Sequence, residues 1–202
     1  VYLADYDITT EIAPTERAAM FRFTFPQEDM SYVILDAFDR GSYVQVQPDK
    51  HRIVGYTTRN SGGVTSEFKN WFVIDFGERN FDYVAVTDGK DIRKGQTEAR
   101  EDHSGAIVGF RTKHRDVVTA RVASSFISLE QAERNLGELG TKSFDEVAQA
   151  GRKTWNDVLG RIEVQGGSEE QMRTFYSCLW RSLHFPRRFY ELDAQGKPVH
   201  YS

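Results

Sequence analysis

From Val1 to about Phe126 the apolar positions recur with the short period of extended chain. Nine runs rich in Val, Ile, Phe, Tyr and Thr stand out: Tyr6–Ile12, Ala19–Phe25, Tyr32–Phe38, Tyr43–Gln47, Arg52–Thr58, Trp71–Phe76, Phe81–Thr87, Gly105–Arg111 and Val117–Ser124. Phe21, Phe23 and Phe25 alternate with Arg22 and Thr24, the pattern of a strand with one buried, aromatic face. Between the runs lie Asp39-Arg40-Gly41, Ser61-Gly62-Gly63, Asp88-Gly89 and Lys94-Gly95, which supply the backbone freedom of tight reversals. No helical segment separates these strands, so they are predicted to be antiparallel and to form a two-sheet sandwich.

At Ser128 the period changes to that of a helix. Ser128 with Gln131, Ser143 with Glu146 and Ser168 with Gln171 repeat a capping-box spacing, predicting three helix starts. The first helix spans Leu129–Leu139 and ends at Gly140. In the second, Phe144, Val147, Ala148, Gly151, Trp155, Val158, Leu159 and Ile162 form one stripe before the Gly166-Gly167 break. In the third, Met172, Phe175, Tyr176, Leu179, Trp180 and Leu183 form another, with Pro186 as its stop. That last stripe is large for the few residues that follow it, and its partner surface is expected outside these 202 residues. The fold class is therefore α+β, strands first and helices after, with no internal repeat or low-complexity tract.

Composition narrows the function. With 39% hydrophobic and 13% aromatic residues the chain can build a core. A net charge of −4, and no window that combines Lys and Arg with aromatics, argue against nucleic acid as a partner. No run approaches the roughly 18 apolar residues of a membrane span. No signal-peptide pattern opens the sequence, and one removed from a longer precursor remains compatible with it. Cys178 is the sole cysteine, which excludes an internal disulfide and a cysteine-clustered zinc site; it is read as a buried or half-buried small apolar residue.

Candidate chemistry is sparse. The pairs Asp145/Glu146 and Glu169/Glu170 fall in first turns of helices, where negative charge is favourable, so capping is the preferred reading over acid–base work. Glu98 to His103 could offer metal ligands but reads better as a solvated loop. His51, His103, His114, His184 and His200 are scattered, without a metal-binding spacing. The loop Arg59-Asn60-Ser61-Gly62-Gly63-Val64 lacks the spacing of a phosphate loop. Trp155 and Trp180, on helical stripes, are assigned to the core, which leaves Trp71 as the tryptophan able to face a ligand. No catalytic constellation and no metal site emerge from the residues.

Several stretches together resemble glycoside hydrolase family 92, the bacterial exo-acting α-mannosidases, which include α-1,2-mannosidases. They are Ala13-Pro14-Thr15-Glu16-Arg17, Phe21 to Pro26, Phe72-Val73-Ile74-Asp75-Phe76, Val122 to Ala132 with Asn135-Leu136, Trp155-Asn156 with Leu159, and Thr174-Phe175-Tyr176 through Pro186. The resemblance implies a β-sandwich over residues 1–127, truncated upstream, a helical linker over 128–167, and the first helix of an (α/α)6 barrel over 168–202. It implies calcium-dependent hydrolysis with inversion on mannose-containing glycans such as N-glycans, in a periplasmic, secreted or cell-surface enzyme. The catalytic and calcium-binding residues are then expected downstream, so the 202 residues alone should be inactive and should bind no calcium. Their partners would be the remainder of the sandwich and the barrel. His200 and Tyr201, and after them Trp71, Arg59 and Asn60, are the positions placed near substrate. The alternative is a noncatalytic carbohydrate-binding or interaction sandwich.

Overall fold

The structure is a computed structural model and describes residues 1–184, 188 and 190–201. In chain order the strands are β1 (Tyr2–Leu3), β2 (Ile8–Pro14), β3 (Ala18–Phe25), β4 (Glu28–Asp36), β5 (Ser42–Gln47), β6 (Arg52–Thr57), β7 (Asn70–Asp75) and β8 (Tyr83–Thr87). They continue with β9 (Ile92–Lys94), β10 (Glu98–Glu101), β11 (Gly105–Thr112) and β12 (Asp116–Ser125). The helices α1 (Leu129–Leu136), α2 (Phe144–Leu159) and α3 (Glu169–Ser182) follow, and then a hairpin of β13 (Glu191–Leu192) and β14 (Pro198–Val199).

All pairings are antiparallel. One sheet has the order β1-β2-β3-β12-β7-β6-β5-β10, the other β4-β11-β8-β9. Their facing sides bury Phe25, Val44, Val46, Ile53, Phe76, Val86, Val108, Phe110, Val118 and Ala120. The large sheet is covered on its other side as well. There Ala13, Ala18, Met20, Val54, Val73 and Ala123 pack against Ala132, Leu139, Phe144 and Val147 of the α1–α2 region. A strand buried on both faces loses its alternation, which is why Ile53-Val54-Gly55-Tyr56 is a continuous buried run. In the small sheet, a Cβ on Gly109 would come within 2.9 Å of the Tyr83 Cβ and 3.1 Å of the Tyr32 ring. Glycine there lets those two rings meet edge to face across it, 5.3 Å apart.

The nine expected strands are all present as strands. Residues 98–101, read as loop, instead form the edge strand β10, with Glu101 paired to Arg93 at 3.0 Å; nearby His103 binds Asp36 at 2.7 Å. Ser143 and Ser168 make full capping boxes. Ser128 accepts from the Gln131 N–H, but the Gln131 side chain turns away to Leu192 O and Asn135, so only half a box forms there. The first helix becomes a 3-10 turn at Gly137–Leu139.

Three burial expectations are corrected. Trp155 and Trp180 are 36% and 40% exposed, not core. The C-terminal half of α2 buries no residue, and α3 meets α2 and the turn after it, by the Trp155–Trp180 contact at 6.0 Å and a Tyr176 hydroxyl bond to Ile162 O at 3.0 Å. No residue of α3 is buried, and Cys178 is exposed. Pro186 lies outside the described residues. At the other end, Phe21, Phe23, Ile8, Val33 and Leu35 line an apolar cleft of about 400 Å³ between the sheets. Beside it β4 pairs with β11 on one side, and its other edge carries no strand among the described residues.

Candidate functional site

The β5–β6 hairpin pairs Tyr43 with Tyr56, and β6 pairs Tyr56 with Trp71 on β7, so three rings line up across neighbouring strands. Tyr43 and Tyr56 centroids are 5.7 Å apart; Tyr56 and Trp71 meet edge to face at 4.9 Å. The row lies on the same side of the large sheet as Val54 and Val73, beside α1. Two cations stand over it. Lys69 Nζ is 5.0 Å from the Tyr56 ring and 5.6 Å from Trp71. The Arg100 guanidinium is 4.7 Å from Tyr43 and 5.9 Å from Tyr56. Tyr56 is buried, Tyr43 and Trp71 are half-buried, and Arg100 is exposed. The Tyr43 hydroxyl titrates above the ordinary tyrosine value, chiefly through burial and then through the charge of Glu98.

The connection from β6 to β7, residues 58–69, rises beside this row. On its outgoing limb Asn60 builds a turn, donating from Nδ2 to Thr58 O at 2.9 Å and accepting from Gly62 N at 2.8 Å. Arg59 pairs with Asp39. Arg40, Arg59, Asn60, Ser61 and Gly62 line an open hollow of about 540 Å³. On the return limb the Tyr201 hydroxyl and Thr65 Oγ1 lie 2.8 Å apart, and Phe68 touches both Tyr201 and Phe126, at 6.1 and 5.6 Å. His200 is exposed, its ring 6.3 Å from that of Tyr190.

Of the positions named from sequence, Arg59 and Asn60 stand on the outgoing limb of the 58–69 loop, Tyr201 touches its return limb and Trp71 lies in β7 just after it, each with partners of its own, while His200 leans toward Tyr190. Sequence reasoning missed Tyr43, Tyr56, Lys69, Arg100, Phe68 and Phe126. A signal existed for two of them: Tyr43 and Tyr56 stand at equal distance from the four-residue connection Pro48–His51, so a hairpin closed by that connection pairs them.

Half-exposed rings flanked by donors can stack on the C–H face of a sugar and bond its hydroxyls. Acid–base work is another matter. Among the described residues the carboxyls that shift, Glu11, Asp36, Asp88, Glu130 and Glu146, all shift downward. Asp88 is brought to about 2, first by the Asp91 and Lys90 N–H groups and then by Arg93. A general acid needs the opposite shift. The sequence-flagged acids are engaged likewise: Asp145 binds Arg22 at 3.0 Å, Glu146 closes the α2 capping box and Glu169 pairs with Arg173 at 2.8 Å. No group of three or more His, Cys, Asp or Glu able to hold a metal exists among the described residues.

Comparison with known proteins identifies the family. Residues 1–125 match the glycosyl hydrolase family 92 N-terminal domain, and residues 131–202 the family 92 catalytic domain. An inverting mannosidase of family GH92 from Bacteroides thetaiotaomicron is 38% identical and superposes with a TM-score of 0.92 over 97% of this chain, which is 27% of that protein. A second GH92 α-mannosidase from the same organism, solved with mannoimidazole, shares the fold at 21% identity and a TM-score of 0.83, over 100% of this chain and 28% of its own. An uncharacterized secreted glycosidase from Arthroderma benhamiae is 26% identical, covering 90% of this chain and 27% of its own length. The chain therefore spans about a quarter of the length of these relatives. With both domain matches in tandem over an antiparallel sandwich followed by helices, the chain belongs to glycosyl hydrolase family 92.

Proposed function

We propose that these residues are the sandwich, linker and opening helix of an inverting, calcium-dependent exo-α-mannosidase that acts on mannose-containing glycans such as N-glycans, in the periplasm or outside the cell. The carrying observation is the 38% identity to an inverting mannosidase, spread over 97% of this chain. Inversion needs one carboxyl to protonate the leaving oxygen and another to activate water, roughly 6.5–9.5 Å apart. The shifted carboxyls here are held ionised by arginines, a histidine and helix caps, which fits scaffold roles. Calcium takes six to eight oxygen ligands. Among the described residues no group of three or more His, Cys, Asp or Glu could hold the ion, and on this proposal its ligands, with the catalytic pair, belong to the rest of the enzyme.

On this reading the 202 residues are inactive alone. The chain supplies one wall of the sugar site, through Trp71, Arg59 and Asn60 of the sandwich and Tyr201 and His200 of the segment after α3, and the rest of the barrel covers the half-exposed stripe of α3. The direct test is turnover of an aryl α-mannoside with calcium: none by this chain, and activity by the polypeptide that carries it together with the remainder of the family's catalytic domain. Turnover by the 202 residues would overturn the assignment. A noncatalytic sugar-binding module is the second reading, favoured by the row Tyr43, Tyr56 and Trp71, which is complete within the chain. Saturable binding of mannose or mannobiose to the isolated chain by calorimetry would select it.

A further inference from the structure

The segment 190–201 follows α3 in sequence, yet it lies on the sandwich. At its start the Arg17 guanidinium donates from Nη2 to Tyr190 O at 3.1 Å and stands 5.7 Å from the Tyr190 ring. Arg17 is itself fixed. Its backbone N–H and the Thr15 hydroxyl both donate to Glu138 Oε2, at 2.9 and 2.8 Å, while Nη1 donates to Oε1 at 3.0 Å. Next comes Glu191, 8% exposed, whose Oε1 accepts from the Phe126 N–H at 2.9 Å and whose Oε2 accepts from Asn135 Nδ2 at 2.7 Å. Gln131 Nε2 then donates to Leu192 O at 2.7 Å. Residues 193–197 make the hairpin turn, and Tyr201 ends on Thr65 and Phe68.

We infer that residues 190–201 form a strap that clasps the opening of the catalytic domain back onto the sandwich, and that Glu191 is its positioning residue. Burying a carboxylate is costly unless its oxygens accept hydrogen bonds, and this pocket is built for acceptors only. Asn135 cannot turn its amide over. Its Nδ2 also donates to Ser124 O at 2.8 Å, and its Oδ1 accepts from Gln131 Nε2 at 3.0 Å. A glutamine at 191 would therefore aim its NH2 at a donor, either Phe126 N–H or Asn135 Nδ2. The contrast with α3 sets the function of the strap. The helix before it buries no residue, whereas the strap is tied to Phe126 just after β12, to α1, to the Thr15–Arg17 turn and to the 58–69 loop. It fixes where His200 and Tyr201 stand relative to Trp71. Only the sugar-facing role of those two residues rests on the proposed mannosidase function; the docking of the strap does not.

The test is hydrogen exchange followed by mass spectrometry on the 202-residue chain and its Glu191→Gln, Glu191→Ala and Tyr201→Phe variants. In the unaltered chain the Phe126 amide and those of 190–193 and 199–201 should be protected. E191Q and E191A should accelerate exchange at least about tenfold along the strap and at 65–68, with the sandwich strands unchanged as internal control. Y201F should loosen only the 198–201 and 65–68 end. If the Glu191 variants do not fold, Gln131→Ala loosens the same strap from the α1 side and is expected to give the same pattern. Unchanged exchange along the strap in a folded variant, or a uniform loss of protection across the strands, overturns the inference. In the whole enzyme E191Q should raise KM for an aryl α-mannoside about three- to tenfold with kcat within about twofold. A fall in kcat at constant KM would overturn the positioning role. If the strap loosens as expected but the whole protein hydrolyses no mannoside, the mannosidase reading alone fails.

Discussion

Leu139 closes the 3-10 turn between α1 and α2 and is 0% exposed, packed in the second core with Ala13, Ala18, Met20, Val54, Val73 and Ala123. Leu139→Ala removes hydrophobic transfer energy of about 2.4 kcal/mol, taking about 0.8 kcal/mol for each of three carbon groups. The neighbours on the sheet side are mostly small and held by backbone ladders, so the site cannot collapse well, and a cavity term of about 1 kcal/mol adds to this. The expected loss is about 3.5 kcal/mol, or a fall in Tm of about 7–14 °C for a chain of this size. Urea unfolding followed by circular dichroism and tryptophan fluorescence measures it, and both signals should move together because the linker helices share a core with the large sheet. Leu179→Ala is the control. Leu179 sits half-buried on α3, a helix with no buried residue, so about 1 kcal/mol or less is expected. A loss below about 1 kcal/mol for L139A, or a separate early transition of the helices, would refute the two-sided core.

Arg17→Ala should cost about 2 kcal/mol, because charged hydrogen bonds to Glu138 and Tyr190 O are lost while Glu138 keeps Thr15 and a backbone donor. Arg17→Lys should recover only part of it, since an ammonium cannot span both acceptors, and chemical denaturation of the two variants reads the difference. Stability against pH follows from the depressed carboxyls. Their folded values lie below their unfolded ones, so their contribution is fully present above the unfolded range and disappears as pH falls through the folded values. The Tm should be level from about pH 7 to 5 and fall between about pH 4.5 and 2. In Asp88→Asn the part of that fall between the ordinary 3.8 and about 2 should shrink; an unaltered acid limb would contradict the Arg93 and N–H contacts as its cause.

The large strands were legible because they are runs of β-branched and aromatic residues, some alternating as in β3 and β5 and some continuously apolar as in β6 and β11, bounded by turn residues. β9 and β10 were not. They are short edge strands whose residues, Ile92-Arg93-Lys94 and Glu98-Ala99-Arg100-Glu101, are mostly charged, as edges that avoid further pairing tend to be. The helix starts at Ser143 and Ser168 were written locally and form as written. Trp155 and Trp180 were misjudged for a different reason. An apolar stripe states that a helix has a partner, not that the partner lies in the same stretch of chain, and these two rings are left mainly with each other and His184. The strap was invisible because its anchor is a buried glutamate held by neutral donors, which leaves no trace in spacing or composition. The aromatic row was half visible: Trp71 was named, while Tyr43 and Tyr56 required the register of two hairpins.

The central claim, that this chain belongs to an inverting α-mannosidase, is tested most directly by the anomer first released. Proton NMR of the whole protein acting on an aryl α-mannoside with calcium should show β-mannose before mutarotation, and none after chelation. Release of α-mannose first, or no release at all, would contradict it.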